Sequence, residues 1–290
     1  MDYAPVQRRK IAMVWDLDDP FWYPATKQAY RTAKILNFDI TVFAPKGRGE
    51  AGTLEMVHFL KKVLEERYDG ICISPIADLR VEKLLQKMAE KGVEVIFILS
   101  AFDSVPYRTL IGTDSYQCGR STGEAVREAL GADGAVGIIK WKDNLIETVE
   151  DRYHGVVDVL KENRIPYYDM TGPGEPTAEE ATKLTDRLLT EHPDISVLCA
   201  TNVGWGLAFA RYLKSKGKKV KLVTVDFTDE VGEFMKAGYV DAAIAQRPES
   251  WGSMTLEKIE AVFEGQSIPK TIDTGTYPVT PANIRIYVKD

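Results

Sequence analysis

The chain has 290 residues, 44% of them hydrophobic, enough to fill one large core or two ordinary ones. Its 37 basic residues are outnumbered by 43 acidic ones, a formal charge of −6, so no overall positive excess can hold a phosphate backbone and nucleic-acid binding is set aside. No stretch reaches the roughly eighteen consecutive apolar residues of a membrane span, and Cys72, Cys118 and Cys199 are too scattered for a disulfide framework.

The first residues, Met1 to Pro5, lack the apolar core and cleavage site of a signal peptide; for a secreted protein this implies an export signal already removed. The apolar run Ile11-Ala12-Met13-Val14-Trp15 then reads as a buried strand. It stops at Asp18-Asp19-Pro20-Phe21-Trp22 and gives way to helical spacing at Ala25, Ala29, Ala33 and Leu36. Those five residues therefore sit at a strand's carboxyl end, the place where open parallel α/β sheets bind ligands. Carboxylates accept hydrogen bonds from hydroxyl groups, and an aromatic face covers C–H groups without demanding a polar partner, a pairing that suits a sugar. The same residues also fit an aspartate helix cap followed by core aromatics.

Strand-like and helical patterns alternate along the rest of the chain. Ile40 to Phe43 is a strand, Leu54, Val57, Leu60 and Leu64 mark a helix, and Gly70 to Pro75 is the next strand. Leu84, Leu85 and Met88 mark another helix, and Val93 to Leu99 another strand. After Leu110-Ile111-Gly112-Thr113-Asp114 the pattern restarts with Gly119, Gly123, Val126 and Leu130 on a helix, then a strand at Ala135 to Ile139. Ala181, Leu184 and Leu188 lie on a later helix, and further strands are read at Ser196 to Ala200, Lys221 to Val225 and Asp241 to Ala245. A helix with Leu256, Ile259, Val262 and Phe263 follows, and Ile284 to Val288 reads as a short alternating strand. The fold class is α/β, two doubly wound parallel-sheet lobes.

Enzymatic motifs do not hold. Gly119-Arg120-Ser121-Thr122-Gly123 has the spacing of a nucleophile elbow, but it falls inside helical spacing instead of directly after a strand. Gly47 to Gly52 has phosphate-loop glycines with Thr53 where lysine is required, and is read as a turn. His58, His154 and His192 are too far apart to pair on a metal, and no cofactor motif appears. Lys214, Lys216, Lys218, Lys219 and Lys221 read as a solvated turn.

Seven landmarks in order carry a resemblance over about Lys10 to Val288. They are Asp19-Pro20-Phe21-Trp22 after the first strand, Gly112-Thr113-Asp114, Arg152-Tyr153-His154-Gly155, Leu188 to Asp194, Thr201-Asn202, Val225-Asp226-Phe227, and Ala243 to Gln246. The chain resembles periplasmic sugar-binding proteins of the ribose-binding type, whose fold is shared with the effector domains of lactose-repressor-type regulators. The resemblance implies a non-enzymatic receptor that encloses a pentose or hexose between lobes of residues 1–114 plus 247–275 and 115–246 plus 276–290. It implies three crossovers, near Thr113 to Tyr116, Gln246 to Pro248 and Gly275 to Pro278. Phe21 and Trp22 would sandwich the sugar ring, with Asp19 where the family often has asparagine, and Arg152, Asn202, Asp226 and Gln246 would bind hydroxyls. Asp114 joins the expected contacts at the first crossover. Where many relatives carry Asp-Arg after the fourth strand this chain has Leu99-Ser100-Ala101-Phe102-Asp103, so Ser100 or Asp103 would replace that contact. The third stacking aromatic of the family falls near Glu175-Pro176 here, and the extra tryptophans Trp15 and Trp141 would reshape the pocket. The implied partners are a monosaccharide and either an ABC-type permease or a membrane sensor kinase, in an extracytoplasmic location, with no cofactor, metal or nucleic acid. The alternative is the effector domain of a lactose-repressor-type regulator without its DNA-binding head, and for that head the residues before Lys10 are too few.

Overall fold

A computed structural model describes residues 8–131, 134–141, 147–173, 176–217 and 219–287. In chain order the elements are β1 (Lys10–Val14), α1 (Tyr23–Leu36), β2 (Asp39–Phe43), α2 (Gly49–Glu65), β3 (Gly70–Ile73), α3 (Leu79–Glu90), β4 (Glu94–Ile98) and β5 (Thr109–Gly112). There follow α4 (Ser115–Leu130), β6 (Ala135–Trp141), α5 (Glu147–Glu162), β7 (Tyr167–Gly172), α6 (Ala178–Glu191), β8 (Ile195–Ala200) and α7 (Val203–Lys216). The last are β9 (Lys221–Val225), α8 (Asp229–Lys236), β10 (Ala242–Ala245), α9 (Pro248–Phe263), β11 (Thr271–Asp273) and β12 (Tyr277–Val279).

The chain divides into two compact units, Met1–Gly112 with Arg247–Thr274, and Thr113–Gln246 with Gly275–Asp290. In the first, six strands run in the order β11-β5-β4-β3-β1-β2, every neighbour parallel. In the second the order is β12-β10-β9-β8-β6-β7, with only β12 antiparallel to its neighbour. Sheets of this kind are covered on both faces, which is why central strands such as Gly70–Ile73 and Ala242–Ala245 are buried at every residue.

In the first unit α2 and α3 bury Met56, Leu60, Val63, Val81, Leu85 and Met88 in one layer of core. On the other face α1 and α9 bury Ala25, Ala29 and Ala33 with Trp251, Leu256 and Ile259. The second unit repeats the plan, with Phe209, Leu213 and Leu188 on one side and Val126, Val156 and Leu160 on the other.

Close helix contact in the second unit rests on glycine. A Cβ at Gly119 of α4 would lie 2.1 Å from the Arg152 carbonyl oxygen, and one at Gly155 of α5 would lie 2.3 Å from the Tyr116 carbonyl oxygen. Only bare backbone lets α4 and α5 approach this closely, and the contact fixes the helix that carries Arg152. This is the packing role of the Gly119 to Gly123 stretch, whose Ser121 lies inside α4.

Two readings are corrected and one strand is added. Ile284–Ile286 form a 3₁₀ turn instead of a strand, because the place beside β10 is taken by Tyr277–Val279 and the Asn283 side chain turns the chain, accepting from Thr280 N–H and donating to the Pro278 carbonyl. Val288 lies outside the described residues. Of the Gly47 to Gly52 stretch read as a turn, Gly49 to Gly52 form the first turn of α2. The strand β7 had escaped the pattern because its edge position leaves Asp169 and Thr171 exposed.

Candidate functional site

In the second unit β10, β9, β8 and β6 lie side by side, and the residue at or just past each carboxyl end is polar or aromatic. Gln246 follows β10, Asp226 follows β9, Thr201-Asn202 follow β8, and β6 ends on Trp141. Arg152, 6% exposed, reaches from α5 and donates from Nη1 to the Thr201 carbonyl at 3.4 Å. Gln246 Nε2 donates to Asp226 Oδ1 at 2.7 Å, tying two neighbouring strand ends together. The Asn202 side-chain oxygen accepts from Trp205 N–H at 2.9 Å and caps α7, which occupies the oxygen and leaves the amide nitrogen.

Four buried atoms in this row have no hydrogen-bond partner among the described residues: Arg152 Nε, Asn202 Nδ2, Gln246 Oε1 and Trp141 Nε1. Leaving a buried polar group unpaired costs on the order of 1 to 3 kcal/mol each. Native folds carry few such groups, and a cluster on adjoining strand ends fits a surface whose partner is a ligand. Three donors and one acceptor suit a molecule whose hydroxyls both give and take hydrogen bonds.

Among the first unit's residues, Asp19 is half-buried and its Oδ1 accepts from Phe21 N–H at 2.8 Å, so it caps the short turn Pro20–Trp22. Trp22 is only 3% exposed, lies flat on Trp15 at 4.7 Å between ring centres, and donates its indole N–H to Asp16 at 2.7 Å. Phe21 is half-buried with its ring edge-on to Trp22 at 5.3 Å. A hollow of about 270 Å³ is lined by Trp15, Leu17, Asp18, Asp19, Trp22, Tyr23, Thr26, Val42 and Ala44. It brings Asp19 and Trp22 together and does not include Phe21, Ser100 or Asp103. Ser100 is half-buried just past β4, Asp103 is exposed on a turn, and exposed Asp114 caps α4 by accepting from Gln117 N–H at 2.9 Å. Glu175 lies outside the described residues.

Sequence reasoning passed over Asp16, Ser74 and the Trp141 N–H. Burial pushes the Asp16 carboxyl up to about 6, against the Trp22 hydrogen bond that favours its charge. Ser74, 3% exposed, sits at the carboxyl end of β3, where its backbone N–H meets the Val14 carbonyl. Its only signal in the sequence is a serine between an apolar run and Pro75. Burial likewise pushes the Cys72 and Cys199 thiols up to about 12, so both are inert core residues. Among the described residues no group of His, Cys, Asp and Glu side chains is arranged to hold a metal ion.

A family profile described as "Periplasmic binding protein domain" matches residues 11–267. The chain belongs to the periplasmic binding protein family. This periplasmic binding protein is 25% identical to the ribose import binding protein of Haemophilus influenzae, over 93% of this chain and 90% of that one. To the ribose import binding protein of Bacillus subtilis it is 20% identical over 88% of this chain and 82% of the other. The solved structure of an ABC transporter solute-binding protein from Burkholderia graminis, in complex with D-arabinose, superposes with a TM-score of 0.86 at 22% identity, covering 99% of this chain and 100% of that one. At that identity the likeness speaks for the fold.

Proposed function

We propose that this periplasmic binding protein is an extracytoplasmic receptor that binds a pentose or hexose without altering it, for ABC-type import or for a membrane sensor. The reading rests above all on the cluster of unpartnered atoms on Arg152, Asn202 and Gln246, set on adjoining strand ends beside Asp226. A sugar ring brings oxygens that accept from the arginine and the amide, and hydroxyl hydrogens for Gln246 Oε1 and the Asp226 carboxylate. Relatives named for ribose import support the ligand class.

In the first unit the proposed contacts are Asp19, Phe21 and Trp22, and Ser100 is preferred over Asp103 because it is half-buried at a strand end; Asp114, at the first crossover, is the proposed contact at the start of the second unit. The test is a thermal-shift screen of monosaccharides followed by calorimetry, since a ligand that binds only the folded state raises the melting temperature. A panel of pentoses and hexoses that leaves the melting temperature unmoved would sink the reading. Recovery of the bound sugar unchanged after incubation with and without nucleotide checks that no turnover accompanies binding.

A further inference from the structure

All five tryptophans of the chain are among the described residues. Trp15 donates its indole N–H to Thr26 Oγ1 at 2.8 Å, Trp22 to Asp16 Oδ1 at 2.7 Å, Trp205 to the Pro173 carbonyl at 2.9 Å and Trp251 to Thr274 Oγ1 at 2.9 Å. Trp141 breaks the rule: its Nε1 is buried and has no acceptor among the described residues. Indole N–H groups that leave water normally find a partner, so an unpartnered one at a strand end fits an acceptor supplied by a ligand.

Its place in the fold says what that acceptor belongs to. Trp141 ends β6, the neighbour of β8, so it stands one strand, about 5 Å, from the Asn202 end of the polar row. The ring is partly buried against the core that contains Trp205, which restricts its reorientation. It lies opposite Gly172 in the β6–β7 register, at the last pairing of that ladder.

We propose that Trp141 is a specificity-determining residue, whose indole N–H donates to one oxygen of the bound sugar on the β6 side of Asn202. The proposal rests on the sugar-receptor reading above. An indole nitrogen only donates, so the site demands an oxygen at that ligand position and rejects a sugar that carries hydrogen there.

The experiment titrates wild type and Trp141→Phe by calorimetry with D-ribose, D-arabinose, D-glucose and D-galactose, then with the monodeoxy analogues of whichever binds. Phenylalanine keeps an aromatic ring and removes the N–H. The variant should bind the parent sugar about 3- to 10-fold more weakly, the worth of one neutral hydrogen bond. For one monodeoxy analogue, and only one, variant and wild type should bind alike. Equal weakening towards every analogue, or no weakening, overturns the role of Trp141 and leaves the receptor reading intact. Failure of every parent sugar to bind wild type overturns both. Should the variant fold poorly, ¹⁵N-indole spectra of the wild type serve instead: the Trp141 N–H signal should move on adding the bound sugar, and a stationary signal overturns the proposal.

Discussion

The two units share one order of strands, and the contrast lies in how their carboxyl edges satisfy polar groups. Around the end of β1 the groups answer one another: Trp15 to Thr26, Trp22 to Asp16, Asp19 to the Phe21 N–H. Along β10, β9, β8 and β6 four buried atoms wait without partners. One feature is common to both edges. Leu99 after β4 has φ 65 and Asp226 after β9 has φ 69, and each donates its N–H across to the next strand, to Ile111 at 3.0 Å and to Ile244 at 2.9 Å. The left-handed turn is therefore a device of the architecture, repeated wherever the strand order repeats. What differs is the side chain it displays, leucine in one unit and a carboxylate in the other, so backbone strain alone would have been a poor guide to the site.

The largest expected effect falls on the second unit. Arg152→Ala and Asp226→Ala should each abolish measurable sugar binding in calorimetry while circular dichroism stays native, because each removes charge-assisted hydrogen bonds and leaves buried partners unpaired. Tight binding retained in both variants would erase the contrast between the edges. Next in size, Gly155→Val should cost about 3 kcal/mol or more in denaturant unfolding, since its Cβ would lie 2.3 Å from the Tyr116 carbonyl oxygen, and should weaken binding through displacement of the Arg152 helix.

A smaller effect, with a definite sign, is expected in the first unit. The Asp16 carboxyl is pushed up to about 6 by burial, above its ordinary value of 3.8, so the folded state holds a proton that the unfolded state has released between those values. Its charge thus lowers stability at neutral pH, and the loss is recovered as pH falls through about 6 towards 4. Asp16→Asn keeps an acceptor for the Trp22 N–H and removes the charge. It should stabilise the protein by on the order of 1 to 3 kcal/mol at pH 7, an advantage that shrinks below pH 6. A difference between variant and wild type that stays flat from pH 7 to 4 would count against this account. Smallest of all, Ser100→Ala should weaken sugar binding by about 3- to 10-fold and Asp103→Ala by less than about 2-fold, which calorimetry can rank.

Much of the fold was legible because parallel strands covered on both faces must be apolar along their length: Ile11 to Val14, Ile71 to Ile73 and Val197 to Ala200 announce themselves. Edge elements did not. Tyr167–Gly172 carries polar residues on its open side, Tyr277–Val279 holds a proline, and the alternation at Ile284 to Val288 looked like a strand although no sheet position was left for it. At the candidate site, residue types at strand ends could be read from Asn202, Asp226 and Gln246. Which atom of each is already engaged could not, because Asn202 both caps α7 and keeps an unpartnered nitrogen. An indole without an acceptor is likewise invisible in sequence, since its partner depends on which distant strands lie beside it.

The route of the chain bears on how the protein is made. The first unit buries Ala25 and Ala29 against Trp251, Leu256 and Ile259 of α9, and β5 is covered on its outer side by the edge strand β11, so its amino-terminal part cannot finish its core until the ribosome has passed Asp273. Nascent chains halted before Arg247 should therefore leave residues 10–112 open to protease.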